Sequence, residues 1–186
     1  MPCDLIDLKT LEVEYGEDES HGWPHVSRVR TYCLLISRNY SVDTDVLECS
    51  SLLHDIVRDG GDHGLASSIE ASKRLVGLEK AKRDLVVKCV FEHNKASRPS
   101  SLEGMILQDS DRLDALGAIG LIRIIRHNKL GPKELVRHMR TWELEWHGNL
   151  WTPEANTIAA ERVSLLWEFV SRVESELRFL ESSGRR

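Results

Sequence analysis

The chain has 186 residues, enough for one domain whose core needs no disulfide or metal staple. Its 25 Lys and Arg against 30 Asp and Glu leave a net charge of -5 with no long basic block, which argues against an extended nucleic-acid surface but permits a small anionic ligand held by a few arginines. No apolar stretch approaches the roughly 20 residues that span a bilayer, the start Met1-Pro2-Cys3-Asp4 lacks a basic segment followed by an apolar run, and Cys3, Cys33, Cys49 and Cys89 show no C-x-x-C pairing, so a cytoplasmic protein with reduced cysteines is expected.

Helical periodicity dominates and strand signals are nearly absent, which makes the fold class all-α. A short helix over 4–14 leads into the acidic turn "YGEDESHGW", and Pro24 suits the first position of a second helix that carries Val26, Val29, Cys33 and Ile36 on one stripe. The third starts at Ser41 or Asp43, both good N-caps, and runs to about Val57 with Val46, Cys49, Leu53 and Ile56 spaced for burial. Helices over 64–76 and 79–93 follow, then the loop "NKASRPSS". Beyond it come a short helix at 102–108 and the apolar "DRLDALGAIGLIRIIRH", read as one helix with Gly117 and Gly120 inside it for close backbone packing. The remainder predicts a helix over 132–146, a loop, an amphipathic helix over 154–180 and a frayed tail. With no repeat and no linker, residues 1–186 read as one domain, the motif-bearing part at about 20–130 and the helices of about 132–180 packed on it.

Four pieces gain meaning only together: His25 near a helix start, His54-Asp55 near a helix end, and Asp109 and Asp111 far downstream. Consecutive helical residues point about 100° apart, so His54 and Asp55 can share one ion only if it sits between their faces and other helices complete the set. His25 and one of the later aspartates can do so. Mixed imidazole and carboxylate ligation suits Mn, Fe, Co, Ni or Zn with water in the open positions. Such a cation acidifies a bound water and polarises a phosphoryl oxygen, which makes a phosphate ester or anhydride the natural target.

The segments "SHGWPHVSRV" (20–29), "LLHDI" (52–56) and "LEGMILQDSDRLDALGAIGLIR" (102–123) together resemble the HD-domain metal-dependent phosphohydrolases, and most closely a small branch of predicted HD hydrolases. The resemblance implies a single HD-type helical bundle in which His25, His54, Asp55 and Asp111 bind one divalent transition metal. His54 and Asp55 then stand at the catalytic centre, and the substrate is a nucleotide or another small phosphorylated metabolite. The family pattern frequently has alanine where Ser110 stands here, and the turn after Asp55 is short. Some relatives add histidines for a second metal, and His63 and His93 stand roughly where those ligands would enter; a single metal is preferred, with these two as pocket-lining hydrogen-bonding groups.

Arg28, one turn after His25, can reach a phosphate on the same ion, or can form a surface ion pair. Lys95, Arg112 and Arg123 are further phosphate candidates, although Arg112 can equally neutralise its aspartate neighbours and Arg123 its own helix end. His21 is left without a role. Asp59 and Asp62 beside two glycines lack the ligand alternation of a calcium loop and read as a polar turn. Trp142, Trp146, Trp151 and Trp167 read chiefly as core, with a homodimer surface or pocket wall as the other use. The expected function is a metal-dependent phosphohydrolase. Its rivals are a nucleotide-binding or interaction module that turns nothing over, and a structural helical protein whose carboxylates would be paired with Arg or Lys.

Overall fold

Several helix starts in the computed structural model, which describes residues 5–58, 61–94, 97–141 and 149–183, follow side-chain caps. Asp7 accepts from the amides of Lys9 and Thr10 at 3.2 and 3.3 Å and opens α1 (Leu8–Tyr15), which Gly16 ends at φ 66°. Pro24 is the second residue of α2 (Trp23–Ile36), whose stripe of Val26, Val29, Cys33 and Ile36 is fully buried as expected. A 3₁₀ turn over Ser37–Asn39 follows. Asp43 accepts from the amides of Asp45 and Val46 at 3.0 and 3.2 Å and opens α3 (Thr44–Leu53), buried throughout from Val46 to Leu53. Asp62 caps α4 (His63–Arg74) through the Leu65 amide at 3.1 Å, and α5 (Lys80–Glu92) comes next.

The two helices expected on either side of residue 108 are instead one continuous α6 (Leu102–Asp114), and the chain breaks at Ala115–Leu116 before α7 (Gly117–Asn128). Gly117 stands at φ 76°, a conformation that favours glycine, and a Cβ on Gly120 would lie 2.2 Å from the Ala115 carbonyl group. Both glycines therefore serve the break rather than a contact between helix backbones. α8 (Pro132–Thr141) and α9 (Pro153–Ser183) complete the chain; Trp142 and Trp146 lie outside the described residues.

Every regular element among the described residues is helical, and none of these helices is long and apolar enough to cross a membrane. The chain divides into two compact units, Met1–Asp111 and Arg112–Arg186. In the first, α3 is the hub and packs on α2, α4 and α5. In the second, α9 packs on α7 and α8, burying Ala155, Ala159, Val163, Leu166 and Val170 at helical spacing. Trp167 is not core: it is 40% exposed, with the Arg140 guanidinium 4.8 Å above its ring. Cys33 and Cys89 are free and buried. Cys49 is equally buried, and Cys3 lies outside the described residues.

Candidate metal centre

Helix ends, rather than helix faces, gather the histidines. The regular part of α3 stops at Leu53, so His54 is its C-cap and Asp55 the next residue; His93 is the C-cap of α5, and His63 opens α4. Tyr15 donates its hydroxyl to the Leu52 carbonyl at 2.9 Å, satisfying one of the carbonyls that a helix end leaves without a partner and tying α1 to the segment that carries His54. Val57 is held to α4, its amide donating to Ser67 Oγ at 3.1 Å and its carbonyl accepting from the same hydroxyl at 3.2 Å.

Two of the rings are aimed by their own helices. His54 Nδ1 lies 2.8 Å from the Ser51 carbonyl, and His93 Nδ1 lies 2.5 Å from the Val90 carbonyl. A carbonyl only accepts, so each Nδ1 carries a proton, and each Nε2 keeps its lone pair when the ring is neutral. His54 Nε2 faces His25 Nε2 at 3.2 Å, and Asp111 Oδ1 stands 3.5 Å from that His25 nitrogen. His25 Nε2 is also 3.8 Å from Asp55 Oδ2. On the other oxygen of Asp55, Oδ1, stand His93 Nε2 at 3.6 Å and His63 Nε2 at 3.9 Å. His25, His54, Asp55 and His93 are all buried, and the Asp111 side chain is 32% exposed.

The four expected ligands thus converge, although not as one ring of atoms. His25, His54 and Asp111 form one group whose ligand atoms lie within 4.8 Å of one another; Asp55 joins His25 and His21 in a second such group, and His63 and His93 in a third. Burial depresses the His54 imidazole to about 4, against the pull of Asp55, which keeps it neutral and able to ligate. Burial pushes the Asp55 carboxyl up, yet the imidazoles of His54, His21 and His93 beside it and the Arg58 guanidinium together hold it well below the usual carboxylate range. Partial burial of Asp111 is likewise outweighed by His25 and His54, which lower its carboxyl. A donor set of imidazole nitrogens and carboxylate oxygens fits a divalent transition metal.

His21 and Arg58 stand in the site without having been expected there. Arg58 Nη1 donates to both Asp55 oxygens, at 2.9 and 2.8 Å, and its Nη2 lies 3.1 Å from His21 Nε2, while His21 Nδ1 lies 3.3 Å from Asp55 Oδ2. The sequence signal for Arg58 is its place three residues after Asp55; the pairing depends on the turn that follows α3. Of the other basic candidates, Arg28 is taken by Glu19, whose carboxylate and carbonyl it meets at 3.2 Å each, two residues from His21. Arg123 is buried against Asp114 at 2.7 Å in the second unit. Arg112 is half-buried on α6, and Lys95 lies outside the described residues.

A model of the HD domain family matches residues 22–116, the stretch that contains all four expected ligands. The chain belongs to the HD domain family. This HD-domain chain is 28% identical over 177 residues to the YpgQ protein of Bacillus subtilis (strain 168), with 87% of this chain and 86% of YpgQ covered. The crystal structure of YpgQ in complex with ADP is similar at a TM-score of 0.72 and 24% identity, covering 91% of this chain and 97% of that one. A protein from an uncultured Thermotogales bacterium, described as a predicted HD superfamily hydrolase, is similar at a TM-score of 0.66 and 29% identity over 91% of this chain and 88% of its own.

Proposed function

We propose that this HD-domain protein is a metal-dependent phosphohydrolase acting on a nucleotide or another small phosphorylated metabolite, at a monoester or a pyrophosphate bond. The observation that carries the reading is the convergence of His25, His54 and Asp111 within 4.8 Å, with His54 aimed by the Ser51 carbonyl so that its Nε2 lone pair faces the cluster. His25, His54, Asp55 and Asp111 would hold one divalent cation, Mn, Fe, Co, Ni or Zn. When bound, that cation supplies an acidified water and a polarised phosphoryl oxygen. His54 and His25 present nitrogen, Asp55 and Asp111 present charge, and burial of three of the four keeps bulk water from competing.

His93 and His63 serve the substrate rather than the cation. Burial works against a charge on His93, but Asp55 and Asp111 raise its affinity for a proton above the ordinary imidazole value, which suits it to donate to a phosphate or leaving-group oxygen. Burial lowers the His63 imidazole, which leaves that ring a neutral hydrogen-bonding neighbour. The ADP complex of YpgQ supports a nucleotide as the substrate class.

Metal analysis of the purified protein, coupled to hydrolysis of nucleoside mono-, di- and triphosphates, tests the reading. One metal per chain is expected. His54→Ala and Asp55→Ala should each lose more turnover than the roughly 10–100-fold that removing an outer partner of a metal ligand costs. A nucleotide-binding module would bind metal and nucleotide without turnover, and turnover unchanged in both variants would remove the mechanism.

A further inference from the structure

Asp55 is buried, yet its carboxylate is shared between two kinds of neighbour. On its inner side stand the imidazole nitrogens of His25, His93 and His63, at 3.8, 3.6 and 3.9 Å. On its outer side Arg58 spends one nitrogen on both carboxylate oxygens, at 2.9 and 2.8 Å. A buried carboxylate needs a counter-charge, and the guanidinium supplies one. The same carboxylate is proposed to bind a divalent cation together with His25, His54 and Asp111, which would set two positive groups on one small anion. Like charges at that separation, screened from water on the inner side, repel, so one of them gives way.

Arg58 is the group built to move. Its side chain is 36% exposed, it lies outside any helix in the stretch after α3, and its other contact is to the partly exposed His21. A guanidinium turned outward from Asp55 keeps its planar fork of donors, which matches the oxygens of a phosphate as it does those of a carboxylate. We infer that Arg58 is an exchangeable counter-cation: it neutralises Asp55 while the site holds no metal, and once a divalent cation takes that carboxylate the freed guanidinium grips the substrate phosphate. The inference rests on the phosphohydrolase reading and adds to it a positioning and substrate-binding residue outside the expected set. It also explains why an acidic ligand is seen paired with Arg, the feature otherwise expected of a purely structural protein.

Calorimetric titration with Mn²⁺, and then with ADP on the Mn²⁺-loaded protein, tests it in the wild type, Arg58→Gln and Arg58→Lys, with circular dichroism to confirm the fold. With the competing charge removed, Arg58→Gln should bind Mn²⁺ several-fold more tightly and ADP about tenfold more weakly, the loss of one charge-assisted hydrogen-bonding group. Arg58→Lys keeps the charge but not the fork, so its Mn²⁺ affinity should stay near that of the wild type while ADP still weakens. A residue with only a structural role would not improve metal binding when removed. Unchanged or weaker Mn²⁺ binding in Arg58→Gln overturns the inference, as does unchanged ADP binding. A wild-type chain that binds none of the five metals fails the reading of the site itself, and the inference with it.

Discussion

Gln108 is buried on α6, one turn before Asp111, and its side-chain amide donates to the carbonyls of Asn94 and Ser97 at 2.9 and 3.1 Å, with those of Glu92 and His93 at 3.3 and 3.4 Å. It is a positioning residue for His93. Gln108→Glu keeps the shape but sets a carboxylate oxygen against four carbonyls, and we expect a loss of about 2–3 kcal/mol in urea unfolding. Turnover should fall with it, whereas Mn²⁺ affinity should hold, because the carbonyls that Gln108 holds belong to none of the four proposed ligands. A variant with wild-type stability and turnover would show that the loop supports itself. The ligand set at this scale was legible because His25, His54-Asp55 and Asp111 sit inside a motif with recognisable flanks. Gln108, His21 and Arg58 were not, because their partners are a loop carbonyl or a turn neighbour, and neither periodicity nor spacing reports where a loop closes.

Glu48 of α3 is buried and meets Arg30 of α2, whose Nε donates to Glu48 Oε1 at 2.7 Å. This pair fastens the helix that carries His25 to the helix that ends on His54. Removing one partner leaves the other without its counter-charge, so Glu48→Ala should cost about 3 kcal/mol, while replacing both in Arg30→Met/Glu48→Leu should cost clearly less. A double-mutant cycle by denaturant unfolding checks this, and additivity of the two single changes would contradict it. The helices themselves were legible where a short polar residue precedes an apolar period, as at Asp43 before Val46 and Leu47. The break at Ala115–Leu116 was hidden, because "ALGAIG" carries the same apolar spacing as the helices on either side of it. What interrupts the helix there is backbone geometry, a positive φ at Gly117 and a carbonyl passing under Gly120, and composition reports such geometry only as two glycines.

For the whole molecule the buried imidazole makes stability depend on pH. His54 is lowered from 6.5 to about 4 by burial, so between those values the unfolded chain binds a proton that the folded chain refuses. Its contribution is intact above 6.5 and shrinks as the pH falls through that window. Asp55, held well below the usual carboxylate range, adds a second loss at still lower pH. In the metal-free protein His54 should therefore remove about 2 kcal/mol between pH 7 and pH 5, which the raised proton affinity of His93 offsets in part, leaving a net fall in Tm. Saturating metal should raise Tm throughout, by about 2.7 kcal/mol of added stability at a hundredfold excess over Kd, and steepen the acid dependence because protons compete for the same nitrogens. A scanning-calorimetry series that is flat from pH 7 to 5 without metal contradicts a neutral, buried His54. The backbone acceptors of His54 and His93 lie three residues upstream on the same chain segment, so each ring takes its orientation from a local peptide group. Such orientation is inherited with the segment, and lineages can rebuild the surrounding loops, and with them the choice of substrate, without relearning how to point a histidine.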